Sequence, residues 1–118
     1  MGLRIFPIKF LVMKTINRAY IQVTPTKEFW ALIASKIIDK EFIDFHEPSI
    51  YLIEEDFWDE EEILKKYMQK IMNYEFKHLI EDSAEFNIQI ELTDFKRLFN
   101  VTFGATVVDS LKVPIESL

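Results

Sequence analysis

The chain has 118 residues, 49% of them hydrophobic and 14% aromatic, so it is long enough for one core and too apolar for a disordered chain. It contains no cysteine, which excludes disulfides, thiolate metal sites and cysteine nucleophiles and fits a reducing compartment. The net charge is −6, with +5 in residues 1–40 and −11 in residues 41–118. This distribution argues against nucleic-acid binding, which usually requires a basic face.

The N-terminal residues are mildly apolar, but Pro7 and Lys9 interrupt them and the stretch is too short to span a bilayer. They also lack the small-residue cleavage site of a signal peptide. We therefore expect a soluble, cytoplasmic protein without membrane association.

The first predicted elements are a strand and a helix. Apolar and polar residues alternate over residues 16–24, which predicts a half-buried strand. Thr24 and Pro25 then predict a helix start, with a hydroxyl cap followed by proline at the first helical position. The helix is predicted over residues 26–38, with Trp30 in the core. Its apolar positions at helical spacing are Phe29, Trp30, Ile33 and Ile37.

A second strand is predicted over residues 49–54, where four consecutive apolar residues favour an interior position in a sheet. A long amphipathic helix is predicted over residues 60–80, and Asp59 and Glu62 form a capping pair at its start. Its predicted apolar stripe consists of Leu64, Tyr67, Ile71, Tyr74 and His78, bordered by Met68, Met72 and Leu79. Its predicted i,i+4 ion pairs are Glu61 with Lys65 and Glu62 with Lys66.

The last third of the chain predicts a strand over residues 86–92, a short helix ending at Leu98, and a strand over residues 99–107. Gly104 indicates a bulge in this last strand. Its predicted inward-facing residues are Phe99, Val101, Phe103, Ala105 and Val107. The order of elements predicts an α+β or α/β fold, a single-layer sandwich in which two main helices cover a small sheet of three to four strands.

Seven of the nine residues from Glu54 to Glu62 are acidic. Residues 59–62 lie where a helix start favours negative charge, so they need no further explanation. The candidate protein-binding residues are the five that precede them: Glu54, Glu55, Asp56, Phe57 and Trp58. They combine charge for steering with aromatic side chains for affinity. The alternative is a solvated acidic edge with Trp58 packed under the long helix.

Several short segments also match a known pattern. The matching residues are Asn17, Arg18, Ala19, Val23, Pro25, Phe29 and Trp30, then the segment SIYLIEED and the acidic helix, and finally Phe95, Phe99, Val107 and Asp109. Over residues 13–110 the chain resembles a widespread family of small, uncharacterised bacterial proteins. The resemblance implies no activity. It implies a native start at Met13, with residues 1–12 as an N-terminal extension and residues 13–118 as one globular domain, and a loop rather than a strand at residues 86–92.

We assign no catalytic, cofactor-binding or metal-binding residue, and we expect no cofactor. His78 lies on the predicted apolar stripe, as a core histidine would. A folded chain could bring a group of acidic residues and one histidine around a metal: His46, Glu47, Glu54, Glu55 and Asp56. A metal-dependent enzyme using these carboxylates is therefore the alternative function.

The sequence thus predicts a small, acidic, cytoplasmic protein that binds another protein and is not an enzyme. Small acidic inhibitors of basic enzymes, such as barstar-like proteins, act through charge of this kind, although the chain matches no barstar motif. An inhibitor or immunity-like role with a basic protein partner follows from this analogy. A homodimer is left open.

Overall fold

The structure, a computed structural model, describes residues 13–34, 47–79 and 89–118. Its elements are β1 (Lys14–Ile16), β2 (Ala19–Pro25), α1 (Lys27–Ile33), β3 (Ser49–Ile53), α2 (Glu60–Leu79), α3 (Leu92–Leu98), β4 (Phe99–Gly104) and β5 (Val107–Asp109). Strands β3, β2 and β4 form an antiparallel sheet in that order, and β1 pairs with β5. The fold is α+β, as predicted, with helices packed on a small sheet.

The core lies on one face of the three-stranded sheet. Alternation along β2 places Ala19, Ile21 and Val23 in the core with no exposed surface. Phe29 of α1 lies at the centre of an aromatic cluster that joins the three described helices to β4. Its ring centroid is 4.9 Å from that of Phe99 and 5.7 Å from that of Phe76. Trp30 is also buried, as predicted.

The long helix α2 has the predicted extent but a different buried face. Phe76, which the predicted stripe omits, is 2% exposed, whereas Tyr74, a predicted stripe residue, is 54% exposed. The buried residues of α2 are Ile63, Leu64, Ile71, Met72 and Phe76. Compared with the predicted orientation, α2 turns the face that contains Phe76 toward the core. The rings of Phe76 and Phe29 stack there. The side chains of His78 and Leu79 lie outside the described part of the chain.

The predicted strand over residues 99–107 is two strands, β4 and β5, which belong to different sheets. Between the Ile16–Val107 pair and the Tyr20–Gly104 pair, residues 17–19 lie opposite only residues 105–106. The pairing is therefore interrupted beside Gly104 by a break between two sheets, where the sequence indicated a bulge within one strand. The ring of Tyr20 lies against Gly104, so a larger side chain there would displace it. Ala105 lies between the strands and is exposed, contrary to its predicted inward position.

The N-cap of helix α1 lies two residues later than the sequence predicted, at Thr26 and not at Thr24. Pro25 is the last residue of β2 and pairs with Phe99, so it cannot also be the first helical residue. The cap is Thr26, whose hydroxyl accepts a hydrogen bond from the Phe29 N–H at 3.4 Å. The same hydroxyl donates to the Arg97 carbonyl at 2.8 Å, so the cap also joins α1 to the end of α3. The predicted helix end at residue 38 lies outside the described residues.

We expect Thr26→Ala to lower the free energy of unfolding by about 1–2 kcal/mol, because it removes a helix cap and a hydrogen bond between two helices. Thr24→Ala is the matched control. Thr24 is half-buried in β2 and caps no helix, so its replacement should cost less than about 1 kcal/mol. Urea unfolding of both variants measures the difference, and a larger loss for Thr24→Ala would contradict the observed cap.

The predicted strand over residues 86–92 is absent from residues 89–92, the part of it that the structure describes. Residues 89–91 have no regular structure, and Leu92 begins α3. Residues 86–88 and the expected extension at residues 1–12 lie outside the described residues. None of the described helices is long and apolar enough to cross a membrane.

Candidate functional site

The candidate site is the acidic loop, residues 54–59, which connects β3 to α2. Glu54 lies at its first position, directly after the last residue of β3. Its Oε2 atom accepts a hydrogen bond from the Tyr67 hydroxyl at 2.8 Å and one from Lys66 Nζ at 3.0 Å. Of the five candidate binding residues, Glu54 is thus held within the molecule and attaches the loop to α2.

These hydrogen bonds favour the ionised form of Glu54. The Tyr67 hydroxyl, and after it Lys66, hold the pKa of Glu54 below its ordinary value. The same contact raises the pKa of Tyr67 and of Lys66, since both donate to the carboxylate. The sequence placed Tyr67 on the apolar stripe and Lys66 in an ion pair with Glu62. It contains no local signal for their contact with Glu54, which lies twelve residues before Lys66.

Stability should therefore depend on Glu54 in a pH-dependent way. A carboxylate with a lowered folded-state pKa stabilises the fold above its ordinary pKa of 4.5, and this contribution is lost as the pH falls through the folded-state value. We expect Glu54→Gln to be less stable than wild type at about pH 7, with the difference shrinking at a second, acidic pH at which Glu54 becomes protonated in the folded protein. Glu55→Gln, an exposed neighbour, is the control for urea unfolding at both pH values. A difference that persists at low pH would contradict this role.

The other end of the acidic loop is held by Phe57 and Asp59. Phe57 is half-buried and packs on the core, with its ring centroid 6.2 Å from that of Phe103. Asp59 caps α2, as predicted, and its Oδ1 atom accepts the Glu61 N–H at 2.9 Å. The loop is thus attached at its first, fourth and last residues.

Between these attachments, Glu55, Asp56 and Trp58 point into solvent. Trp58 is 99% exposed, so the alternative in which it packs under the long helix is wrong. Within the described residues, no cation lies at salt-bridge distance from Glu55 or Asp56. The loop therefore exposes an indole beside two carboxylates that form no ion pair with the described residues.

The acidic residues of α2 form different ion pairs from those predicted. Glu61 pairs with Lys96 of α3 at 3.3 Å, and Glu62 pairs with Lys65 at 3.7 Å. All four side chains are largely exposed, so each pair contributes little to stability. Their charges are nonetheless partly compensated within the molecule, which leaves Glu55 and Asp56 as the more available anions.

No group of three His, Asp or Glu side chains is arranged to hold a metal ion in the described part of the chain. His46, which the predicted metal group included, lies outside the described residues. The metal-dependent enzyme accordingly stays a sequence prediction.

Comparison with known proteins does not identify the chain. No protein-family model matches it, and neither a curated protein nor a solved structure does. The resemblance to small uncharacterised bacterial proteins therefore stays a prediction as well.

Proposed function

We propose that this protein is a non-enzymatic protein-binding module whose docking surface is Glu55, Asp56 and Trp58 of the acidic loop. The observation that carries the proposal is the 99% exposure of Trp58. Tryptophan is enriched among the residues that dominate binding energy at protein interfaces. Burying about 200 Å² of indole, at about 25 cal/mol per Å², would contribute about 5 kcal/mol before the costs of association.

The attachment of the acidic loop supports a binding role. Glu54, Phe57 and Asp59 each contact the body of the protein, so the backbone around Trp58 is already ordered. A surface that is ordered before binding loses less conformational entropy in the complex. The position of Trp58 on this loop therefore favours affinity.

The charge supports a basic partner. The chain carries a net charge of −6, and Glu55 and Asp56 lie beside the exposed indole. Carboxylates at the rim of an interface accelerate the encounter with a positively charged protein and disfavour an acidic one. An inhibitor or immunity-like protein of the cytoplasm, which neutralises a basic enzyme by direct contact, is the form of this function that the charge favours.

The test is a charge reversal with a matched control. We expect Glu55→Lys with Asp56→Lys to leave stability within about 0.5 kcal/mol of wild type, since both residues are exposed and cap no helix. Association with the partner recovered from lysates of the native host should slow by about tenfold at low salt. The effect should shrink at about 1 M salt, where the Debye length is only about 3 Å.

Glu116→Lys is the control, because it changes the charge of an exposed residue far along the chain from the acidic loop. It should alter association only slightly. If wild type, the loop variant and the control retain the same proteins in a pull-down and associate at the same rate, the acidic loop is ordinary solvated surface and the proposal is wrong.

A further inference from the structure

Strand β3 is an edge strand beside α2 in the sheet that the described residues form. It lies at one end of the sheet order β3-β2-β4, and within the described residues no strand pairs with its outer side. A groove of about 430 Å³ runs along this side. It is lined by all five residues of β3 and by Tyr67, Lys70, Ile71 and Tyr74 of α2. None of the described strands pairs with the backbone groups on this edge, and an exposed strand edge of this kind can template the addition of another strand.

The residues of β3 are typical of an interior strand rather than an edge. The segment SIYLI contains no proline and no charged residue. Proline and charged residues, lysine above all, are what usually protect an exposed edge from pairing. Ile50 is 60% exposed and Leu52 is 49% exposed on the side of the sheet away from the core. An additional strand beside β3 would cover both side chains and turn β3 into the interior strand that its composition predicts.

The groove between β3 and α2 is already formed in the free protein. Tyr51 of β3 packs edge-to-face on Tyr74 of α2, with ring centroids 6.0 Å apart. In a strand, alternate side chains point to opposite faces. An incoming strand would therefore place every second side chain against the wall of α2 and the others beside Ile50 and Leu52.

The charges at the two ends of β3 favour a partner strand with basic ends over a second copy of this chain. Glu47 lies two residues before the strand, and Glu55 lies two residues after it. If a second copy paired antiparallel about Tyr51, Glu47 of each copy would lie opposite Glu55 of the other, and like charges directly opposite destabilise a strand pair. A strand with lysine or arginine at both ends would instead meet carboxylates at both ends.

We infer that β3 and α2 receive an extended segment of a partner protein, with alternating apolar side chains at its centre and basic residues at both ends, as a fourth strand of the sheet. This inference rests on the proposed function and specifies its partner. Such strand addition takes its affinity from backbone hydrogen bonds and its specificity from alternate side chains. A segment antiparallel to β3 enters from the side of the acidic loop, so its basic end approaches Glu55 and Asp56.

The test uses a fluorescent peptide with the sequence Lys-Arg-Val-Thr-Val-Thr-Val-Arg-Lys and the complete chain. Ile50→Lys and Thr102→Lys are matched variants, because both residues lie opposite Gln22 of β2, one on each edge strand. We expect saturable binding by wild type, a loss of at least about tenfold for Ile50→Lys, and a change within about twofold for Thr102→Lys. On binding, backbone amides in residues 49–53 should become protected from hydrogen exchange.

A second peptide with glutamate in place of all four basic residues should bind at least about fivefold more weakly. Equal binding of the two peptides, or no binding of the basic one, would overturn the inference. A dimer of the chain alone that Ile50→Lys dissociates would also overturn it, since a second copy would then occupy the edge. If the basic peptide does not bind although Trp58→Ala still weakens binding of the whole partner, the inference at β3 fails while the acidic loop remains a docking surface. The two failures are therefore distinguishable.

Discussion

Replacing Phe76 by alanine should lower the free energy of unfolding by about 3–5 kcal/mol, the usual cost of removing a buried phenylalanine. Phe76 is 2% exposed, and its ring stacks on that of Phe29 at the centre of the core. Domains of this kind are stable by only about 5–15 kcal/mol, so the variant should lose a large share of its stability. Urea unfolding followed by circular dichroism measures the loss.

Tyr74→Ala is the control for this prediction, because it lies two residues earlier on the same helix. Tyr74 is 54% exposed, and its ring packs edge-to-face on that of Tyr51. Its replacement should cost about 0.5–1.5 kcal/mol, the value of one aromatic pair. A larger loss for Tyr74→Ala than for Phe76→Ala would mean that α2 buries the stripe predicted from the sequence instead of the observed one.

Trp58→Ala should weaken binding of the protein partner by at least about 2 kcal/mol, or about thirtyfold, while the fold stays within about 0.5 kcal/mol of wild type. Binding should change without a change in stability because the Trp58 side chain is exposed. The indole contacts almost nothing in the free protein, so its removal leaves no cavity. Calorimetric titration of the partner and urea unfolding of the free variant measure the two quantities.

Phe57→Ala is the control, because it should lower stability, whereas Trp58→Ala should lower binding. Phe57 is half-buried against Phe103, so Phe57→Ala should cost about half of the 3–5 kcal/mol typical of a buried phenylalanine. Binding should weaken only as far as the acidic loop loses its attachment. If Trp58→Ala destabilises the protein as much as Phe57→Ala does, Trp58 packs on the body of the protein in solution and is not a docking residue.

Features that depend on neighbouring residues could be predicted from the sequence. The long helix α2 and its Asp59 cap follow from apolar spacing and from a carboxylate placed before a helix start. The strands β2 and β3 follow from their apolar residues. The apolar spacing of α2 and the apolar run of β3 do not depend on distant partners, so these two elements were found where they were expected. The strand predicted from residue 16 is interrupted, because Ile16 belongs to β1 and β2 begins at Ala19.

Features that depend on distant partners could not be predicted. The helix cap at Thr26 is stabilised by the carbonyl of Arg97, 71 residues away. The apolar residues near position 90 alternate as a strand would, yet Leu92 begins a helix whose Phe95 and Leu98 reach the core. In both cases tertiary packing outweighed the local preference, as it commonly does for short segments.

For the candidate site, the sequence by itself determined that acidic and aromatic residues lie together between a strand and a helix. Only the tertiary structure decided their separate roles, because roles depend on which side chains find partners. Glu54 meets Tyr67 and Lys66, Phe57 meets the core, and Trp58 meets solvent. The same holds for β3, whose apolar residues indicate an interior strand. Its place at the edge follows from the pairing of β2 with β4, which the order of residues along β3 does not encode.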